Sequence, residues 1–202
     1  MGVPGFFKWL YQRYPLIVRQ YCDFSHPIIN NLYIDASSFL YRAFRSTNFN
    51  GPNLNDNVLA EIYRGLDSQV QTYKPTDLIF IAVDGVAPYA KAAEQRKRRF
   101  ISASRLNSTA YDKCAFTPGT QIMYDIDVKL KKFIENQKKT DSNWTKPRII
   151  FSGVMVPGEA EHKIIDYIRE YKQSSNYNPN LVHCLEADDA DVIYLSLNHH
   201  FL

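Results

Sequence analysis

The chain has 202 residues, of which 45% are hydrophobic and 22% are charged, and its 24 Lys and Arg against 21 Asp and Glu give a net charge of +3. This composition excludes a disordered, collagenous or fibrous chain. No apolar run approaches the roughly 20 residues that cross a bilayer, so no membrane is expected as a partner. The three cysteines (Cys22, Cys114 and Cys184) are widely spaced, which argues against a disulfide framework and favours an intracellular compartment.

Four short runs rich in Ile, Val and aromatic residues predict buried strands. They are residues 32–36, 78–84, 148–152 and 181–185. Between them, apolar residues at helical spacing predict helices that begin at Asp56, at Pro118 and after Gly158. The Lys- and Asn-rich stretches at 136–147 and 172–180 are expected to be solvated connections. Alternating strands and helices predict an α/β fold with a mostly parallel sheet flanked by helices.

Acidic residues stand at or just beyond the carboxyl end of each predicted strand. They are Asp35, Asp84, Glu159, Glu161, Asp189 and Asp191. Open parallel sheets bind ligands at this edge, where like charges repel unless a cation lies between them. Oxygen ligands suit Mg²⁺ or Mn²⁺, and two such ions roughly 4 Å apart are a common apparatus for phosphodiester hydrolysis. Alternatively, single acids such as Glu159 and Asp189 only complement or cap helices, but this accounts poorly for four acidic strand ends.

Residues 91–100, KAAEQRKRRF, predict a helix with one basic face. That face consists of Lys91, Gln95, Arg98 and Arg99, at positions i, i+4, i+7 and i+8. An ammonium, an amide and two guanidiniums suit a terminal phosphate, and the acidic edge is only seven residues away at Asp84. Arg96 and Lys97 are expected to point elsewhere. The alternatives are a generic basic surface helix or a nuclear-localisation patch.

With these residues in hand, the sequence resembles the N-terminal part of the Xrn family of 5′→3′ exoribonucleases. The matching segments, from Met1 to about Leu197, are MGVPGFFKWLYQRYP, NLYIDASSFLY, IAVDGVAPYAKAAEQRKRRF, CAFTPGTQIM, RIIFSGVMVPGEAEHKIIDYIR and HCLEADDADVIYLSL. The resemblance implies a flap-endonuclease-like (PIN-like) nuclease core that uses two divalent ions, Mg²⁺ or Mn²⁺. It also implies a substrate, single-stranded RNA with a 5′-monophosphate, which is hydrolysed to mononucleotides.

Carried over position by position, the resemblance implies that the six acids named above are catalytic metal ligands. It likewise implies that Lys91, Gln95, Arg98 and Arg99 bind the 5′-phosphate. Tyr41 stands where the family usually has a histidine that stacks on the first base, and a tyrosine ring can also stack. Three neighbouring positions depart from the family pattern: Ser37 replaces an asparagine, Ala160 a glycine and Asp188 a leucine.

The resemblance implies that residues 1–202 form one Xrn N-terminal nuclease domain without the family's second conserved block. A partner chain, or the remainder of a longer enzyme, is expected to supply that block. Two other functions stay open: a non-catalytic RNA-binding or scaffolding subunit of a larger ribonucleoprotein, and a structure-specific endonuclease of the flap type. The short spacing between the first two acidic strands resembles the cytoplasmic branch, so a cytoplasmic location is expected, with the nucleus or an organelle as alternatives.

Overall fold

A four-stranded, all-parallel sheet lies at the centre of the computed structural model, which describes residues 5–18, 27–46, 56–104 and 113–197. The strands are β1 (Asn31–Asp35), β2 (Leu78–Ala82), β3 (Arg148–Ser152) and β4 (His183–Glu186). Their order is β3-β2-β1-β4, so β1 and β2 occupy the middle of the sheet. The predicted α/β fold with a parallel sheet is confirmed.

Eight α-helices accompany the sheet within the described ranges. They are α1 (Phe6–Arg13), α2 (Ser37–Ser46), α3 (Asp56–Tyr73), α4 (Tyr89–Ser104), α5 (Gln121–Thr140), α6 (Ser142–Thr145), α7 (Ala160–Gln173) and α8 (Asp191–Leu197). None of these helices combines the length and the apolar character that crossing a membrane requires. Helix α5 begins after Pro118, because Gly119 turns the chain at φ 98° and the Thr120 hydroxyl caps the helix by accepting from Met123 N.

The alternation of side chains along β1 and β2 builds a core on each face of the sheet. Leu32, Ile34 and their neighbours in β2 pack in one cluster with buried residues of α3 and α5. Tyr33 and Phe80 face the other way and pack with Ile164 and other residues of α7. Since both faces are covered, the two central strands are buried along their whole length. This burial holds the carboxyl ends of β1 and β2 in a fixed position.

The expectation of a solvated connection over residues 136–147 is wrong. Helix α5 continues to Thr140, and the short helix α6 follows at once. Trp144 of α6 is completely buried, and its Nε1 donates a hydrogen bond of 2.9 Å to Asp67 Oδ1 on α3. The lysines that suggested a loop lie on the solvent side of the end of α5, so composition concealed a helix whose other side is buried.

Candidate active site

Asp35 ends the central strand β1, Asp84 follows the central strand β2, and Ser37 forms hydrogen bonds to both residues. Ser37 N donates to Asp35 Oδ1 at 3.0 Å, and the Ser37 hydroxyl accepts from Asp84 N at 3.0 Å. Asp35 is only 9% exposed. Burial and the neighbouring charge of Asp84 raise the pKa of Asp35 to about 6. The pKa of Asp84 is also raised, first by burial and then by Glu159. Holding these two carboxylates close together is unfavourable because their negative charges repel, and a bound cation would offset that repulsion.

Glu159 and Glu161 stand where α7 begins, and the helix is tied to β2. Ala160 N, the first amide of α7, donates to Asp84 Oδ1 at 2.9 Å. Glu159 is 6% exposed, and within the described residues its Oε1 atom has no hydrogen-bond partner. Burial, together with a hydrogen bond shared with Glu159, raises the pKa of Glu161 to about 8. A buried carboxylate oxygen without a partner is costly, and a bound cation would provide that partner.

His162 adds a third potential ligand to this pair. One ligand atom from each of Glu159, Glu161 and His162 can be chosen so that all three lie within 4.8 Å of one another. Sequence reasoning missed His162, although the contiguous run EAEH offers three potential ligands at the start of α7. Mostly oxygen ligands with one exposed imidazole suit a hard or borderline divalent cation. The donor set and the orphaned Glu159 oxygen therefore fit Mg²⁺ or Mn²⁺.

Asp189 and Asp191 lie in a different environment, beyond the edge strand β4. Asp191 N donates to Asp189 Oδ1 at 3.1 Å, a local contact at the start of α8 that matches the helix-cap alternative. In the same loop, Asp188 lies 3.6 Å from Arg42, and both side chains are more than half exposed. The charge of Asp188 contributes to the raised pKa of Asp35, so this loop faces the β1 side of the site. Metal binding by Asp189 and Asp191 stays a prediction.

The basic segment is part of α4, and its side chains divide between two surroundings. Lys91 Nζ lies 3.3 Å from Glu159 Oε2, which brings this end of the helix to the acidic site. Further along α4, Gln95 and Arg99 line a cavity of about 520 Å³. Arg96 lines the same cavity, so the expectation that it points elsewhere is wrong.

The residues that line the cavity show why Arg96 belongs to its wall, whereas Arg98 is not among them. Residues 85–87 and residues 117–118 form other parts of the cavity wall, and α4 meets them with a surface broad enough to include Arg96 beside Gln95. Lys91, Gln95 and Arg99 are half-buried along one line of the helix, whereas Arg98 is exposed. Among the described residues, Gln95 and Arg99 therefore line this cavity, Lys91 approaches Glu159 instead, and Arg98 is not part of the lining.

Tyr41 on α2 lies between the acidic and basic parts of the site. Its pKa is raised by burial and by the charge of Asp84, while Arg99 opposes that rise through its charge and a hydrogen bond. The side chain is nevertheless 39% exposed. An exposed ring beside both groups is compatible with the predicted stacking role.

Lys163 is a second component that sequence reasoning missed. Its side chain is buried, and Nζ donates to the carbonyl oxygens of Val83 at 2.8 Å and Gly153 at 2.9 Å. Burial lowers the pKa of this ammonium to about 8, although Asp84 and Asp127 oppose that shift. The available signal was its position, because Lys163 lies one helical turn after Glu159 on the side that packs against the sheet.

The chain matches a family model described as XRN 5'-3' exonuclease N-terminus over residues 1–201. It therefore belongs to the Xrn family, and its α/β fold is consistent with the expected PIN-like nuclease core. The match agrees with the resemblance of the quoted segments.

Curated relatives agree with this assignment over nearly the whole chain. The sequence is 36% identical to 5'-3' exoribonuclease 1 of Saccharomyces cerevisiae, 34% identical to 5'-3' exoribonuclease 1 of Homo sapiens and 33% identical to 5'-3' exoribonuclease 2 of Arabidopsis thaliana. Each match covers 99% of this chain. The chain spans 14%, 13% and 24% of the length of these relatives, respectively.

Proposed function

We propose that this chain is the catalytic core of a 5′→3′ exoribonuclease that hydrolyses 5′-monophosphorylated RNA to mononucleotides. The observation that carries the proposal is the 3.3 Å ion pair between Lys91 and Glu159, which joins the basic helix to the acidic site. A 5′-phosphate on α4 would lie next to carboxylates suited to the hydrolysis of the following phosphodiester. The names of the curated relatives support the same activity.

The acidic residues would hold two Mg²⁺ or Mn²⁺ ions. Asp35 and Glu159, which are buried, and Asp84 and Glu161, which are partly buried, would form the inner part of that ligand set, and Asp189 and Asp191 would complete it from the β4–α8 loop. When bound, the two ions supply an activated water and stabilise the charge that develops on the phosphate oxygens. The protein's own contribution is to hold the carboxylates at fixed positions before the substrate arrives.

The basic helix would select the end of the RNA. Lys91, Gln95, Arg98 and Arg99 would donate hydrogen bonds to the 5′-monophosphate, with the guanidiniums binding in a bidentate manner. Tyr41 would stack on the first base. Capped and triphosphorylated ends are larger and, for the triphosphate, more highly charged, so this site would exclude them. A cytoplasmic location belongs to the same proposal, through the resemblance to the cytoplasmic branch.

A second candidate function is a catalytically incomplete RNA-binding or scaffolding subunit of a ribonucleoprotein. The exposed position of Asp188 and Asp189 favours it, because these side chains are not held as Asp35 and Glu159 are. A partner that supplies the family's second block would complete the site in that case. This candidate predicts RNA binding that is insensitive to metal, without turnover.

The deciding experiment is an RNA decay assay on the purified chain with Mg²⁺. Two matched RNAs, one with a 5′-monophosphate and one with a 5′-hydroxyl, are compared, and the Asp84→Asn variant is assayed in parallel. We expect mononucleotide release from the monophosphorylated RNA alone, abolished by Asp84→Asn and by EDTA. Equal decay of both RNAs by a folded chain would overturn the proposal, and RNA binding without decay would favour the scaffolding subunit.

A further inference from the structure

The peptide group that joins Val83 to Asp84, just beyond β2, is held at both ends. Lys163 Nζ donates to Val83 O at 2.8 Å, and Asp84 N donates to the Ser37 hydroxyl at 3.0 Å. Rotation of this peptide would break both hydrogen bonds. The backbone that carries the Asp84 side chain is thereby fixed from α7 on one side and from α2 on the other.

The peptide group between Gly153 and Val154, just beyond β3, is held in the same way. Lys163 Nζ donates to Gly153 O at 2.9 Å, and Val154 N donates to Asp127 Oδ1 at 2.9 Å. Asp127 is almost completely buried and is also paired with Lys131 on α5. One ammonium therefore joins two peptide groups that follow neighbouring strands, and each group has a second anchor.

Lys163 also belongs to the first turn of the helix that begins at the acidic pair. Its backbone N donates to Glu159 O at 3.0 Å, one turn back along α7. Its side chain is 8% exposed. Burying an ammonium opposes folding, and here the charges of Asp84 and Asp127 and the two accepting carbonyl groups offset part of that cost. The ammonium joins the carboxyl ends of β2 and β3 to the start of α7, which is the segment that carries the acidic pair.

We propose that Lys163 is a positioning residue that sets the distance between Asp84 and the Glu159–Glu161 pair for divalent-cation binding. The inference rests on the proposed function, because it assumes that these carboxylates bind the metal. Lys163 acts through the backbone and does not contact the ion or the RNA. Without its side chain, the Val83 and Gly153 carbonyl groups lose their shared donor, and the start of α7 is no longer joined to the carboxyl ends of β2 and β3.

The test is Mn²⁺ binding to the full chain, measured by isothermal titration calorimetry without RNA. The variants are Lys163→Met, Lys163→Arg and the exposed control Lys132→Met. Since outer-shell partners typically change metal affinity by about 10- to 100-fold, we expect Lys163→Met to weaken Mn²⁺ binding at least about 10-fold. Lys163→Arg keeps a charged donor and should restore part of the affinity, and Lys132→Met should leave it unchanged.

A further variant separates positioning from stability. Asp127→Asn keeps the shape of the second anchor but weakens its hold on the Gly153–Val154 peptide, so we expect a smaller loss of Mn²⁺ affinity with the chain still folded. Thermal melts of every variant give the folded fraction at the titration temperature. If Lys163→Met does not fold, the Mn²⁺ affinity of Asp127→Asn decides whether the positioning role holds, with Lys163→Arg as the variant that keeps the charged donor. Unchanged affinity in folded Lys163→Met, or in folded Asp127→Asn where Lys163→Met does not fold, would overturn the positioning role alone, whereas no Mn²⁺ binding by the unaltered chain would overturn the metal site and the positioning role with it.

Discussion

The acids at the carboxyl edge of the sheet fall into two groups with opposite surroundings. Asp84 follows the central strand β2, where the Ser37 hydroxyl of α2 accepts from its amide and the first amide of α7 donates to its carboxylate. Glu159 follows the edge strand β3 but is buried where α7 begins, next to Asp84. Asp189 lies beyond β4, an edge strand of the sheet, in a loop whose ion pair with Arg42 is exposed. Both groups come from one sequence pattern, an acid just after a strand.

The difference teaches that preorganisation depends on the contacts that hold an acid in place more than on the strand that it follows, since Glu159 and Asp189 both follow edge strands. Carboxylates fixed in a buried site can bind a cation with little rearrangement. Carboxylates on an exposed loop must be ordered when the ion binds, and their interactions are screened by water and salt. We therefore expect the central group to dominate metal affinity and the edge group to add to it.

The largest effect is expected on the rate of RNA decay, which Glu159→Gln should lower far more than Asp189→Asn does. Glu159→Gln replaces a buried predicted metal ligand and removes the charge that faces Lys91, so Mg²⁺-dependent RNA decay should fall at least about 100-fold, the size of a lost electrostatic contact in an active site. Asp189→Asn alters an exposed predicted metal ligand and should reduce decay by about 10-fold at saturating Mg²⁺. Rates are measured on 5′-monophosphorylated RNA over a range of Mg²⁺ concentrations.

Circular dichroism provides the control for this comparison, since both variants should remain folded. The distinction between the two groups of acids would be wrong if Asp189→Asn lowered the rate of RNA decay as much as Glu159→Gln does. That result would show that the edge loop is ordered as firmly as the central site once the substrate and ions are bound.

The second effect is expected in the free energy of unfolding, and it concerns the part of the site that Asp127 holds in place. A Cβ atom on Gly153 would be about 1.8 Å from Asp127 Oδ1 in the unmoved structure, and both groups are anchored. Gly153→Ala should therefore lower the free energy of unfolding by about 2 kcal/mol, within the range for overpacking. Urea denaturation measures the loss, with Ala93→Ser on the exposed side of α4 as a control. A loss below about 0.5 kcal/mol would mean that the loop yields easily.

Sequence reasoning anticipated the strands and the acids better than the contacts that fix them. Short apolar runs locate β1 to β4 within about two residues, because buried strands require such residues. Lys163 offered only its position one turn after Glu159, and Ser37 offered no signal for its hydrogen bonds, since both roles depend on which backbone groups the fold brings to these side chains. Sequence reasoning did not include His162 among the candidate metal ligands, because the neighbouring acids were stronger candidates. Trp144 was missed because its neighbours are polar and its burial depends on packing against a distant helix.

A smaller effect, dependent on pH, is expected on the edge strand at His183. Its ring bonds the Tyr33 hydroxyl at 2.9 Å and lies near Tyr171. Burial and the positive charge of Lys172 lower the pKa of His183 from 6.5 to about 4. The unfolded chain therefore takes up a proton first as the pH falls, and this residue's contribution to stability is present above pH 6.5 and is lost between about pH 6.5 and 4.

Because the His183 ring is only partly buried, we expect that loss to be about 1 kcal/mol. Urea denaturation in EDTA at pH 7 and pH 4.5 measures it as the difference between the unaltered chain and His183→Gln. The glutamine variant should be less sensitive to acid over this interval. Equal acid sensitivity of His183→Gln and the unaltered chain would show that the strand tolerates the charged imidazole.

The smallest effect is expected where the edge loop meets α2. Arg42 pairs with Asp188 at 3.6 Å and also covers the Phe39 ring, with its guanidinium carbon 4.5 Å from the ring centroid. Because the ion pair is exposed, a double-mutant cycle with Arg42→Met and Asp188→Asn should give a coupling energy below about 0.5 kcal/mol. Mn²⁺ affinity should change by less than about 3-fold in either variant if the loop is loosely held, since exposed pairs contribute little fixed geometry. A 10-fold loss of Mn²⁺ affinity in Arg42→Met would instead show that α2 fixes the β4–α8 loop, because the ion pair would then determine how Asp189 and Asp191 are presented to the cation.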